Sequence, residues 1–497
     1  MKKIRIIYAF SLLIVVGSCE SFLDVEPKNL IDPDRFYNTE ADGVAALAGV
    51  YQHLMSPECL GRDMERFFNF NHDLTSPTRI LGAGRTDVAF RWDQNNELIR
   101  ALWRTLYQAI NDANVLIYRM TNSPLPEGIR KEIIAEGIFL RSLIYYYMVV
   151  MFKDVPFIVE PTINAETFFK NSTMARTPSD VLLNSLIDDL TKVENDLPAN
   201  MRPDYKARAT RWALKSLKLK IYSWQKNHAG VISTASDIIN NSPHKLLANY
   251  ADIFKPDNEF NDEMIFQLDY VSNQISTNRH TTHTPRPQDE RVGSPLPLWF
   301  DGAGGYTIYK SVVSSFDPND LRREVNIMDA LDNGVRLNFA YIRKMLRPED
   351  PRGNGGLNLH LIRLSDIYLE LAEAENELNG PTTLALNSIN VIRERAGLLP
   401  HSGLNKDELR QAIRDERVWE LIGEGLIRNT DLKRWGIVRE AIEQRRILEE
   451  ATPATRPGLI ATLNQKLNNL TPGKEWLPIP IQEIILNENL TQNEGYF

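Results

Sequence analysis

Arg130–Phe152 reads RKEIIAEGIFLRSLIYYYMVVMF, and its periodicity decides the fold class. Ile133, Ile134, Leu140, Leu143, Ile144, Tyr147, Met148 and Met151 recur at steps of three and four, which puts them on one face of an α-helix. On its N-terminal side, Glu97–Met120 repeats the pattern with Leu98, Leu102, Leu106, Ile110, Leu116 and Ile117, until Thr121-Asn-Ser-Pro-Leu-Pro126 breaks it. Glu40–Met55 does the same with Val44, Leu47, Ala48, Tyr51 and Leu54. On the C-terminal side the spacing predicts Asp180–Leu197 with Ser179 as N-cap, then Thr210–Gln225, Val231–Asn240, His360–Leu378, Leu384–Ala396 and Asp407–Gly423. Such helix–turn–helix units cannot each bury their own apolar face, so they stack, and the fold expected is mainly α, a helical-repeat array. At 497 residues one small core is excluded.

Two stretches interrupt the helices. Residues 67–96 are rich in Gly, Pro, Thr, Asn and Asp, and 256–351 hold many Pro and Gly with strand-like runs such as Met264–Leu268. They read as long irregular insertions carrying short strands, and long loops on a rigid frame are where binding residues concentrate.

The first eighteen residues read as a targeting signal. Lys2, Lys3 and Arg5 precede an apolar run, Ile6–Val16, too short to cross a bilayer. Gly17, Ser18 and Cys19 follow, in the pattern of a bacterial lipoprotein signal, so Cys19 is the expected lipidation site. Acyl chains there would hold the body on a membrane at about 0.8 kcal/mol per buried CH₂. No other stretch reaches about 18 uninterrupted apolar residues. The remaining cysteine, Cys59, is expected to be a small buried apolar residue, and two cysteines build neither a disulfide scaffold nor a cysteine zinc site. Lys and Arg number 57 against 65 Asp and Glu, a net charge of −8, which lacks the basic footprint of a nucleic-acid binder.

Ordered short motifs make the chain similar to the SusD/RagB-type nutrient-uptake lipoproteins of the Bacteroidetes outer membrane. They begin at Cys19-Glu-Ser-Phe-Leu-Asp24 and Pro27 and continue with Trp103, Tyr107, Ile110 and Asn114. Ala135-Glu-Gly-Ile-Phe-Leu-Arg141, Tyr145-Tyr-Tyr147 and Asp154-Val-Pro156 follow, then 362–373, 390–397, Glu416-Arg-Val-Trp-Glu-Leu421, Arg428 and Asp431-Leu-Lys-Arg-Trp-Gly436. Leu477-Pro-Ile-Pro480 and the Asn-rich tail to Tyr496 close the series. The resemblance implies a tetratricopeptide-like α-superhelix, although the strict repeat consensus is not visible. It implies a signal at 1–18, an N-terminal SusD-like region at 19–240 and a C-terminal RagB/SusD region at 241–497. It further implies an outer-membrane location facing the cell exterior, an oligosaccharide or peptide ligand, and a SusC-like TonB-dependent transporter as partner.

Catalytic patterns are sparse. Glu416, Glu420 and Glu424 share one helix face, and paired carboxylates can hydrolyse glycosides. Arg417, Arg428 and Arg434 lie close in sequence, so an ion-pair network joining helices is the expected reading, and no catalytic residue is assigned. His280 and His283 lack the acidic residue of an HExxH pair, and neither a metal nor a cofactor is expected. The surface-glycosidase reading is therefore secondary.

A sugar offers apolar C–H faces and many hydroxyls, which proteins meet with aromatic rings and with Asp, Asn, Arg and Gln. Aromatics on the insertions are the informative ones. Trp92 lies among Arg91, Asp93, Gln94 and Asn96, while Trp299 and Tyr306 flank a glycine turn at 302–305. The resemblance implies a ligand patch built from these two regions, and the residues expected there are Trp92, Trp299, Tyr306, Asp73, Arg79 and Asn96. Trp212, Trp224, Trp419 and Trp435, with His53 and Trp103, are expected to pack within the helical frame.

Overall fold

The computed structural model describes residues 36–77, 86–285, 305–332, 334–453 and 457–496. Cys19 and the signal segment, Arg79, and Trp299 with residues 302–304 of the glycine turn lie outside the described residues. The chain is mostly helical with a few short strands, as the periodicity requires.

The longer helices are α1 Glu40–Met55, α2 Asp63–Asn69, α3 Glu97–Thr121, α4 Glu127–Phe152, α5 Ala165–Ser172, α6 Ser179–Val193, α7 Arg211–Trp224 and α8 His228–Asn241. After the second insertion come α9 Leu364–Asn379, α10 Thr383–Arg395, α11 Lys406–Leu421, α12 Ile427–Trp435, α13 Val438–Ala451, α14 Pro457–Asn469 and α15 Ile481–Leu486. Local chemistry sets the starts. Thr39 and Asp42 form a reciprocal capping box on α1, and Asn96 Oδ1 accepts from the amides of Leu98 and Ile99 at the head of α3. Ser179 is not the cap of α6 but its first residue. Its amide donates to Asp154 Oδ1 at 2.8 Å, so a carboxylate from an earlier turn supplies the missing acceptor.

Helix α4 is long and apolar enough to cross a membrane, yet nearly all of its last eighteen residues are buried inside the protein. A helix apolar all round needs neighbours on every side. Helices α3, α1 and α6 pack on it, and α9 meets α8, α10 and α11 in the C-terminal half. One apolar core runs from Leu47 to Tyr496 and crosses residue 240 without a break.

The predicted helix at 360–378 begins four residues late. Leu359–Arg363 is a strand, β6, antiparallel to β2, Met264–Leu268. Backbone pairing with the second insertion overrides the apolar spacing there. A second sheet joins β1 Thr75–Ser76, β3 Thr307–Ile308, β5 Arg336–Ile342 and β4 Ile327–Ala330, in that order.

The three glutamates of α11 and its C-terminal turn are consumed by ion pairs, with partners other than those expected from sequence. Arg363 donates to Glu424 Oε2 at 2.6 Å, Glu420 Oε1 at 2.5 Å and Glu263 Oε1 at 2.8 Å. Arg322 holds Glu416 at 2.6 Å, and Lys344 holds Glu424 at 2.6 Å. Arg417 and Arg434 instead pair with Asp431, and Arg428 pairs with Asp73. All three glutamates are at most 3% exposed, so they offer no carboxylate pair to a substrate.

Candidate ligand-binding site

The two insertions meet. Ser76 in the first pairs with Thr307 in the second, Thr307 Oγ1 donates to Ser76 O at 2.6 Å, and the Tyr309 amide donates to Leu74 O at 3.1 Å. The segments carrying Arg79 and Trp299 are thus rooted on neighbouring strands. Gly305, at one root, donates to Thr282 O, and a Cβ there would lie 2.7 Å from that oxygen, so only glycine fits.

The root is clamped from beneath by the C-terminal helices. Asp73 accepts both arms of the Arg428 guanidinium, at 2.8 and 2.7 Å, and this pairing holds its carboxyl well below the usual range against the opposing effect of burial. Lys466 of α14 donates to His72 O at 2.6 Å and Thr75 O at 2.9 Å, and burial lowers its pKa to about 7. His72 is buried, lowered to about 3, and its Nδ1 accepts from the Leu74 amide.

A strained turn follows. Ala89 and Phe90 both have positive φ, 55° and 53°. Asn71 braces them by donating to Phe67 O and Asp87 O and accepting from the Phe90 amide at 2.9 Å, while Asn469 of α14 donates to Ala89 O.

Four of the expected ligand residues have structural work here, which corrects their reading as surface contacts. Trp92 is 2% exposed, edge-on to Phe67 and Phe90, with its indole N–H donating to the Tyr496 hydroxyl at 2.5 Å. Tyr306 is 1% exposed, stacked on Phe70 at 4.6 Å and close to the His283 ring at 4.5 Å. Asp73 is held in its ion pair, and Asn96 is the N-cap of α3. The insertions use their aromatic and polar residues first to fill and fasten their own base.

A recess of about 910 Å³ lies on the helical frame between α3, α5 and α15. Trp103 and Tyr107, with ring centres 5.0 Å apart, form one wall and Phe168 and Phe169 stand on another. Trp103 is buried as expected, but His53 is a partly exposed residue on the recess, 2.9 Å from Asp112. Tyr107 donates to Pro156 O, and Asn114 bonds both Ile158 O and Arg141, so this aromatic and amide motif pins the 156–162 segment to α3. The sequence carried one sign of the recess that passed unread: adjacent phenylalanines on an eight-residue helix too short to have a core face of its own.

Comparison with known proteins places this architecture. Residues 328–496 match the SusD family, and residues 21–222 match a family described as starch-binding and associating with the outer membrane. A SusD-like protein, P25, of Formosa agariphila is 32% identical over 99% of both chains. The chain belongs to the SusD-like family. The starch-binding protein SusD of Bacteroides thetaiotaomicron is a more distant relative of this SusD-like protein, 22% identical over 100% of this chain and 99% of that one. Among solved structures, a SusD homolog from Bacteroides thetaiotaomicron VPI-5482 superposes with a TM-score of 0.80 at 20% identity, covering 93% of this chain and 98% of that one. A laminarin-binding SusD-like protein gives 0.73 at 23% identity, covering 93% and 100%. The expected mainly helical SusD-type fold is borne out, and the family carries an association with the outer membrane.

Proposed function

We propose that this SusD-like protein is an outer-membrane lipoprotein, acylated at Cys19 and facing the cell exterior, which captures an oligosaccharide and passes it to a SusC-like TonB-dependent transporter. The carrying observation is the junction of the two insertions. The strands β1 and β3, where the two insertions pair, are clamped to the C-terminal helices, and a rigid frame under long loops is what a binding face requires. The names of the relatives support carbohydrate as the ligand class: one family is described as starch-binding, and one neighbour binds laminarin. The mechanism is binding and delivery without bond cleavage, and the locking of Glu416, Glu420 and Glu424 in ion pairs agrees with it.

The test is an array of oligosaccharides and peptides probed with the chain from Cys19 onward, followed by calorimetry and a reducing-end assay on whatever is retained. Glycan binding with no new reducing ends is expected. Retention of peptides alone would establish the peptide-binding reading instead, and new reducing ends would establish a glycosidase.

A further inference from the structure

The recess on α3 is built from elements outside the insertion junction and has the dimensions of a ligand pocket, about 910 Å³. Its walls are fixed. Asn111 Oδ1 accepts from the Thr162 amide at 2.8 Å, and Asn171 Nδ2 donates to Glu160 O and Thr162 Oγ1, so these amides are spent holding the frame. Two kinds of group are left over.

The first kind is aromatic. Phe168 and Phe169 are 55% and 67% exposed, with ring centres 5.8 Å apart, on a helix that buries only Thr167 and Asn171. They line the recess together with the wall made by Trp103 and Tyr107. Exposed phenyl pairs beside a concave apolar wall mark contact surfaces.

The second kind is polar. Glu483 is half-buried, and its carboxyl makes no hydrogen bond or ion pair with any described residue. Burial raises its pKa despite the lowering influence of Arg100 and Arg104. Arg104 and Gln108 stand one helical turn apart on the exposed side of α3, along the same recess. A turn advances about 5.4 Å, close to the span of one pyranose unit.

An apolar peptide segment seated here would strip water from Glu483 and Arg104, which attract one another without a hydrogen bond between them, and would offer neither a hydrogen bond in return, which is costly. A sugar chain would stack C–H faces on the rings, accept from Arg104 and Gln108, and donate hydroxyls to Glu483. Glu483 and Arg104 offset one another in charge, which gives no preference for a charged ligand. From this juxtaposition we infer a second carbohydrate site on the helical frame, which takes a neutral oligosaccharide between α3 and the Phe168–Phe169 pair. The inference rests on the proposed carbohydrate-binding function.

The test uses the chain from Cys19 onward and an array of neutral oligosaccharides, laminarin and starch fragments included, with calorimetry on those retained. The wild type is expected to bind two molecules. The double variant Phe168→Ser/Phe169→Ser, at solvent-exposed positions, loses one of them by at least tenfold, and Glu483→Gln weakens the same one. Trp299→Ala leaves that one unchanged. A single binding event that Trp299→Ala abolishes and the double variant leaves alone overturns this site while the proposed function stands. If the double variant keeps full glycan affinity but no longer co-purifies with a membrane barrel, the recess is a protein-docking surface and the inference fails. If the wild type retains no oligosaccharide, the functional proposal falls together with this one.

Discussion

Replacing Trp92 separates the core reading of the first insertion from a ligand-platform reading. The indole is enclosed between Phe67 and Phe90, and its N–H is bonded to Tyr496, 404 residues away in sequence. Trp92→Ala removes a fully buried ring at a cost of about 3–5 kcal/mol. Tyr496 keeps its donation to Trp476 O at 2.6 Å, so its hydroxyl is not stranded. Trp92→Phe keeps most of the ring contact and loses the N–H bond, worth about 1 kcal/mol, and some buried area, for a total of about 1–2 kcal/mol. Urea unfolding followed by near-UV circular dichroism should rank the midpoints wild type, Phe variant, Ala variant, while calorimetry shows the folded Phe variant binding glycan like the wild type. Unchanged midpoints together with lost glycan binding would refute the core assignment and return Trp92 to the ligand face.

Arg363→Met should lower the unfolding free energy by about 3–5 kcal/mol, because Glu420, Glu424 and Glu263 keep their buried charges and lose their shared cation; a urea midpoint within the error of wild type would contradict it. Cys59 is fully buried, and its thiol is pushed up to about 12, so a thiol-reactive dye should label it only as the chain unfolds, and prompt labelling of the native protein would count against that placement. Two pH limbs are expected in a denaturation series. Glu424 titrates near 2 in the fold against 4.5 for a free carboxyl, so its stabilisation is complete above about pH 4.5 and is lost as the pH falls toward 2. Lys466 titrates near 7 in the fold against 10.5 when free; between these values the unfolded chain binds the extra proton, so stability should rise with pH across that window, less so in Lys466→Met.

The helices were legible in the sequence because their signals are local. Apolar spacing gave Glu40–Met55 with its true bounds and α3 and α4 to within a few residues. Burial of Cys59 and the ion-paired fate of Glu416, Glu420 and Glu424 followed from composition and neighbours. The identity of the ion partners did not, since Arg322, Lys344 and Arg363 reach α11 from strands and turns 60 to 100 residues away. The same limit hid β6, whose helix-like spacing yields to pairing with β2.

Sequence alone also pointed to the two insertions as the place for ligand binding, and the structure brings them together at β1 and β3. It could not say which of their side chains face outward. A tryptophan or tyrosine in a polar loop has the same local signature whether it waits for a ligand or fills the base of its own loop. Only tertiary packing distinguishes the two, by placing Phe67, Phe90 and Tyr496 around Trp92 and Phe70 and His283 against Tyr306. Periodicity is written into neighbouring residues, whereas burial depends on partners that chain connectivity does not name, and so the frame was determined by the sequence and the choice of exposed rings by the fold.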